Sequence, residues 1–342
     1  EDLERELGIK NAIKLASNEN PMGPSPKVLE AVNKVLSGLH RYPDGNALRL
    51  KERIAAENGI STDQITIGNG SNEIIEFVVR SFLSPKDSAV FSKHAFAVYP
   101  LAVQAIGAEG IEVPAKEWGH DLSAMKNAIK KNTKLVFIAN PNNPTGTFIS
   151  RDEVISFLDG VRKDVIVLLD QAYFDYASYE NNDLDFEFIN EFPNLVISRS
   201  FSKAYGLAGF RVGYSVSSKV IADYLNRARQ PFNTNSLALV AAETALQDKE
   251  HMMSSLKINI EQKKVLYKGL EHLGYDFIPS SGNFICFDCK RDANSVFNDL
   301  LQEGVIVRSM EVYQMPNHLR VSIGLPEENK IFLEKLANLG EV

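Results

Sequence analysis

The stretch "SRSFSKAYGLAGFRVGY", residues 198–214, ends one apolar run, "NLVISRS", and opens another, "RVGYSV". Lys203 sits just past the first run, between Phe201 and Tyr205, with Ser200 and Ser202 before it and Arg211 eight residues on. A lysine on a solvated helix face usually has acidic neighbours at helical spacing. Lys203 has none. A polar cluster in a glycine-bearing loop after an apolar strand is where an α/β sheet places its chemistry.

Working outward, further apolar strand candidates are "QITIGNG", "DSAVFS", "KLVFIAN" and "DVIVLLD", and most are separated by helix-period segments at 73–83, 97–106, 123–131 and 151–162. Runs rich in Val, Ile and Leu with little polar alternation indicate a sheet buried on both faces. The expected fold class is therefore α/β, with a large domain built on a mostly parallel buried sheet flanked by helices. Beyond about residue 236 a long helical stretch, broken near 248, runs to about 273. Short strands near 276–288, 305–308 and 318–323 then alternate with helices at 292–302 and 326–338, the pattern of a smaller α+β domain. The expected division is 44–247 for the large domain, and 1–43 with 248–342 for the small one. The opening "EDLERELGIK" is helical in pattern.

The chain has 342 residues, 44% hydrophobic and 24% charged, which is ordinary for a globular protein and excludes disordered and collagen-like classes. A net charge of −7 argues against a nucleic-acid or acidic-membrane surface, although a local basic pocket for a small anion remains compatible with it. No run approaches the roughly eighteen apolar residues of a membrane span, and no basic-then-apolar leader opens the chain, so a cytoplasmic location is expected. The cysteines, Cys286 and Cys289, form one CxxC in "GNFICFDCK". Two ligands do not close a structural zinc site, and the six histidines are scattered, so no metal is expected. Alternation around Cys286 reads as a strand carrying a thiol.

Four segments carry candidate chemistry. "IGNGSNEIIEFVVRSFL", residues 67–83, is strand, glycine turn and helix; the free N–H groups at Ser71 and Asn72 suit a phosphate, and a capped helix after a tight turn explains the segment equally well. "IANPNNPTG", residues 138–146, is a rigid turn whose density of amides, Asn143 among them, the turn alone does not require. In "VLLDQAYFDY", residues 167–176, Asp170 ends an apolar run and needs a cation or good donors; an internal ion pair and a ligand contact both satisfy it, and Tyr173 lies one turn away. In the opening stretch, Lys203 is placed to be desolvated, the condition for an amine that attacks an aldehyde near neutral pH, while Ser200, Ser202 and Arg211 offer donors to a phosphate. Jointly these are the parts needed to hold pyridoxal phosphate.

With these motifs the chain resembles the fold-type I pyridoxal-phosphate aminotransferases. The resemblance spans nearly the whole chain: "LASNENPMGPSP" at 15–26, "RYPDG" at 41–45, "GNGSNE" at 68–73, "NPNNPTG" at 140–146, "DQAY" at 170–173, "SFSKAYGLAGFRVGY" at 200–214, "VIVRSM" at 305–310 and "LRVSIG" at 319–324. "NENPMGPSP" and "RYPDG" narrow it to the histidinol-phosphate subgroup. The resemblance implies that Lys203 bonds to the cofactor's aldehyde and then acts as general acid/base. It implies that Asp170 pairs with the pyridine nitrogen, Asn143 and Tyr173 contact the phenolic oxygen, and Phe96 stacks on the ring in a position where many relatives carry tyrosine. Ser71, Asn72, Ser200, Ser202 and Arg211 are implied to hold the phosphate, with Tyr42 reaching it from the second subunit of a homodimer. Arg320 matches the carboxylate-binding arginine of the family; Arg308 is the expected second cation, with Tyr42 and Asn20 helping. Without the resemblance, both arginines read as strand-end partners of surface salt bridges.

The implied reaction is ping-pong transamination between L-histidinol phosphate and 2-oxoglutarate, giving imidazole acetol phosphate and L-glutamate. Its rivals are an aromatic amino-acid aminotransferase, threonine-phosphate decarboxylase and, outside enzymes, a transcription regulator with an aminotransferase-like domain. The regulator reading requires a DNA-binding module, and the net charge and the first motif at residue 15 speak against it.

Overall fold

The computed structural model describes Gly8, residues 12–181, Phe186 and residues 188–340. Most of the opening segment "EDLERELGIK", whose sequence pattern is helical, lies outside the described residues. Thirteen strands are described. Those of the central sheet are β2 (Ile65–Gly68), β3 (Ser88–Ser92), β4 (Glu109–Val113), β5 (Thr133–Ala139), β6 (Ile166–Asp170), β7 (Leu195–Ser200) and β8 (Gly213–Ser217), in the order β2-β8-β7-β6-β5-β3-β4. From β7 to β4 every pairing is parallel, whereas β8 runs antiparallel to both β7 and β2. The sheet is thus mostly parallel, as its unalternating apolar runs require.

Period-two alternation divides these runs between two cores. Val136, Ile138, Val167, Leu169 and Ile197 pack on one face, and Leu135, Phe137, Leu168 and Val196 on the other. Complete burial of each such side chain contributes about 1.5–3 kcal/mol relative to exposure. Helices Ser71–Phe82 and Val98–Ile106 supply the second face, so the elements that carry the glycine turn and the "HAFAVY" segment are held against the sheet by their own apolar stripes.

A smaller antiparallel sheet has the order β12 (Arg308–Ser309), β13 (His318–Ser322), β10 (Phe284–Asp288), β9 (Asp276–Ile278). β1 (Ile13–Lys14) pairs in parallel with β11 (Val305–Ile306), bringing the N-terminal segment to the C-terminal sheet region. The helical stretch after residue 236 divides where expected, into Ser236–Gln247 and Lys249–His272. Cys286 lies in β10 and Cys289 just after it; both thiols are free and buried, and burial pushes the Cys289 thiol up to about 12, which keeps it unreactive.

Two expectations are corrected, and one strand is added. The helix expected at 123–131 is Leu122–Asn127, because the Lys130 amide turns back to the Thr133 hydroxyl at 2.9 Å. The strand at 305–308 is two pieces with different partners, β11 on β1 and β12 on β13. β4, "EGIEV", was not among the strand candidates: it is a sheet-edge strand whose charged side chains remain in water.

Candidate active site

Because β2 runs in the same direction as β5, β6 and β7, the C-terminal ends of all four open on one edge of the sheet. The four segments singled out in the sequence meet there, around a cavity of about 370 Å³. Its lining includes Ser71, Asn72, Phe96, Asn143, Asp170, Tyr173, Ser200, Ser202, Lys203, Arg211, Arg308 and Arg320.

At one end lies the N-terminus of helix Ser71–Phe82. Its N-cap is Gly70, at φ +77° and without a side-chain cap, so the first-turn N–H groups face the cavity unshielded. A Cβ on Gly70 would stand 2.5 Å from Arg211 Nη2, and one on Gly213 would stand 2.6 Å from the Ser71 nitrogen. Gly70 is required by its left-handed backbone, and Gly213 by the close approach of the Ser71 backbone. Arg211, itself left-handed at φ +59°, donates to the Ser202 hydroxyl at 3.4 Å and the Ala208 carbonyl at 3.2 Å. Helix end, guanidinium and two serines form a cradle for a phosphate.

The middle of the cavity is set by the loop after β5. Asn140 donates to the Ile149 carbonyl and accepts from the Ile149 amide, at 2.9 and 2.8 Å, while Asn142 ties the loop to the His94 carbonyl and the Thr145 hydroxyl, both at 2.8 Å. These amides explain the Asn-rich turn and leave Asn143 turned inward. Asn143 Oδ1 accepts from Arg320 Nη1, so its Nδ2 remains a donor. The Tyr173 hydroxyl accepts from Asn18 Nδ2 at 2.9 Å, so its proton also remains available.

Asp170, only 5% exposed, accepts from Tyr99 (2.8 Å), Ser198 (3.1 Å) and the Ala172 amide (3.2 Å). Burial raises its pKa, with those three donors opposing the rise. Its hydrogen-bond partners among the described residues are donors, with no cation among them. A protonated ring nitrogen would supply the missing positive charge.

Lys203 donates to the Ser17 carbonyl at 3.1 Å. Burial first, then Arg320, hold its amine down at about 8, with Glu19 opposing and Arg211 adding to the depression. At the far end, Arg308 and Arg320 are directly opposed across antiparallel β12 and β13. Like charges in that position are destabilising. Arg320 is buried, with Nη2 on the Ala16 carbonyl at 2.8 Å and its Nε unpartnered among the described residues. An anion between the two guanidiniums satisfies both the repulsion and the orphaned N–H. The residues present thus fit pyridoxal phosphate: a phosphate cradle, two donors, a buried carboxylate lacking a cation and an amine of depressed pKa.

Asn20 does not line this cavity, and Tyr42, expected to enter from a second subunit, does not line its own chain's cavity. Asn20 is spent on the Ala204 carbonyl at 2.9 Å and the Ser255 hydroxyl at 2.8 Å, while Asn18, two residues earlier, lines the site. Tyr42 is 82% exposed and stacks on Phe232 with ring centroids 4.6 Å apart. Sequence reasoning missed Tyr99, Ser198, Asn18 and Tyr313. Ser198 had a signal, because it shares a strand face with Ser200 in "SRS".

The family model for aminotransferase class I and II matches residues 10–336. A curated relative, histidinol-phosphate aminotransferase 2 of Pseudomonas fluorescens strain Pf0-1, is 55% identical, covering 98% of this chain and 91% of the relative. Histidinol-phosphate aminotransferase 1 of Idiomarina loihiensis is 51% identical, covering 99% and 92%. The crystal structure of histidinol-phosphate aminotransferase from Sinorhizobium meliloti in complex with pyridoxal 5'-phosphate superposes with a TM-score of 0.93 at 27% identity, covering 99% of this chain and 94% of that one. The chain belongs to the class I and II aminotransferases and, within them, to the histidinol-phosphate aminotransferase family.

Proposed function

We propose that the protein uses pyridoxal phosphate to transfer an amino group between L-histidinol phosphate and 2-oxoglutarate, giving imidazole acetol phosphate and L-glutamate in histidine biosynthesis. The observation that carries the reading is the opposed pair Arg308 and Arg320 at one end of a cavity whose other end is already an anion cradle. Two separate anion sites suit a phosphorylated cofactor together with an anionic substrate. Guanidinium forks accept either a carboxylate or a phosphate monoester, so one site serves glutamate and histidinol phosphate in turn. The names of the relatives at 51–55% identity favour this substrate pair over the aromatic and decarboxylase alternatives.

When bound, pyridoxal phosphate supplies an aldehyde carbon that accepts nitrogen and a pyridinium ring that draws electrons from the carbon being deprotonated. Ser71, Asn72, Ser200, Ser202 and Arg211 would hold its phosphate, Phe96 would pack on the ring, and Asn143 and Tyr173 would donate to its phenolic oxygen. Asp170 would keep the ring nitrogen protonated. Lys203 carries the proton to and from the substrate carbon at Nζ, for which a pKa of about 8 leaves an adequate unprotonated fraction near neutrality.

The expected kinetic result is a kcat/KM for L-histidinol phosphate at least about 100-fold above that for L-histidinol, which has no anionic group, since loss of a charge-assisted contact costs about 1.5–3 kcal/mol and two arginines are involved. Comparable values for phenylalanine would assign the site to aromatic amino acids, and carbon dioxide release from threonine phosphate would assign it to the decarboxylase.

The working unit is proposed to be a homodimer located in the cytoplasm, with Tyr42 entering the neighbouring site. In support, Tyr42, Leu39 and Phe232 leave apolar surface exposed, and Tyr42 does not line its own chain's cavity. No helix among the described residues is long and apolar enough to cross a membrane. Sedimentation at assay concentration should give twice the chain mass; a fully active monomer would remove this part. The division into 44–247 and 1–43 with 248–342 is proposed on the pairing of β1 with β11 and on the separate core around Phe287 and Phe332.

A further inference from the structure

We infer that Tyr99 is a positioning residue for the reaction, acting through Asp170 to keep the cofactor's ring nitrogen protonated. The inference rests on the pyridoxal-phosphate reading above. Tyr99 stands in the first turn of helix Val98–Ile106, is fully buried, and borders the same cavity as Asp170. Its ring is stacked on Phe137 at 4.6 Å and 12°, and Phe96 meets it edge-on at 5.8 Å and 87°. These contacts fix the hydroxyl, which donates to Asp170 Oδ2 at 2.8 Å.

The two oxygens of Asp170 are loaded unequally. Oδ1 receives both the Ser198 hydroxyl and the Ala172 amide, whereas Oδ2 receives, among the described residues, Tyr99 alone. A carboxylate oxygen has two lone pairs, so Oδ2 is the one with room for a ring N–H. Tyr99 therefore occupies the other lone pair of the oxygen that would meet the ring N–H, and would govern how readily that oxygen takes the ring's proton. Donation to the carboxylate favours its ionised form and hence the pair of charged carboxylate and protonated ring. Burial and the neighbouring Asp170 push the phenol pKa upward, so Tyr99 does not lose its proton and remains a donor across the working pH range. The side chain serves no substrate contact in this scheme; its effect passes through Asp170.

The test is Tyr99→Phe, which keeps the stacking on Phe137 and removes only the donor. Apoprotein is reconstituted with pyridoxal phosphate labelled with ¹⁵N in the ring, and three quantities are measured: cofactor Kd, the ring-nitrogen chemical shift against pH, and kcat. The expected result is a ring-nitrogen signal displaced toward the unprotonated form at neutral pH, with Kd and kcat each worsened roughly ten-fold. In an Asp170→Asn background the same change should add almost nothing, because the acceptor charge it serves is gone. An unmoved nitrogen signal, or an equal loss in both backgrounds, would overturn the assignment and leave Tyr99 as packing. Failure of the cofactor reading itself would appear separately, as wild-type apoprotein that takes up no pyridoxal phosphate.

Discussion

Lys203→Ala should lower transamination by about 10³-fold or more, while the variant folds and still takes up pyridoxal phosphate. Positioned general acid/base catalysis contributes roughly 10²–10⁴-fold, and Lys203 is the one lysine bordering the cavity among the described residues. No other amine is in place to move the proton. Retention of cofactor follows because the phosphate cradle of Ser71, Ser202 and Arg211 is independent of the lysine side chain. Burial and Arg320 depress the Lys203 pKa to about 8. At pH 7.5 about a quarter of such amines are unprotonated, against about 0.1% for a solvated lysine. Reagent acylation of Lys203 in the apoprotein should accordingly rise with pH through a midpoint at about 8. A midpoint above 10 would show a solvated amine, and near-normal turnover in Lys203→Ala would remove it from the reaction.

Asp170→Asn should lower kcat by roughly 10²–10³-fold and weaken cofactor binding, yet leave the thermal stability of the apoprotein unchanged or raised. The sign of the second effect comes from burial. A carboxylate 5% exposed, with donors but no cation, has a raised pKa, so ionised Asp170 is costly to the chain alone. An amide of equal size removes that cost, and the Tyr99 hydroxyl can turn to accept from its nitrogen. With cofactor present the balance reverses, because the neutral amide no longer stabilises a protonated ring. Melting curves with and without pyridoxal phosphate separate the two effects. A variant equally destabilised in both would make Asp170 a structural residue instead.

The parts of the site that were legible in sequence are those that sit at strand ends. Asp170, Ser200 and Lys203 follow apolar runs directly, and Gly70 with Ser71 marks a strand-to-helix turn, so local pattern placed them on one edge of a parallel sheet. What local pattern does not contain is register. Arg308 meets Arg320 only because the strand at 305–309 changes partners at Val307, from Ile13–Lys14 to β13, residues far away in the chain. Tyr99 was hidden for a related reason. Within "HAFAVYPLAVQAI" its ring reads as part of an apolar helix face, and the hydroxyl's acceptor lies 71 residues further on. Asn18 and Asn20 are equivalent by type in "SNEN"; only packing against Tyr173 and Ala204 distinguishes the one in the cavity from the one behind it.

Fold similarity alone does not choose the reaction. The crystal structure of L-threonine-O-3-phosphate decarboxylase from Porphyromonas gingivalis superposes with a TM-score of 0.86 at 22% identity, which shows the shared fold and nothing finer. The choice rests on the relatives at 51–55% identity over nearly the whole chain, which are named histidinol-phosphate aminotransferases.

The most direct measurement is the visible absorption of the pyridoxal-phosphate-loaded protein, titrated with L-histidinol phosphate and, separately, with L-phenylalanine. Bleaching of the visible band by histidinol phosphate at a concentration at least about 100-fold lower is the expected result. Bleaching at lower concentration by phenylalanine, or a protein that develops no visible band with added pyridoxal phosphate, would contradict it.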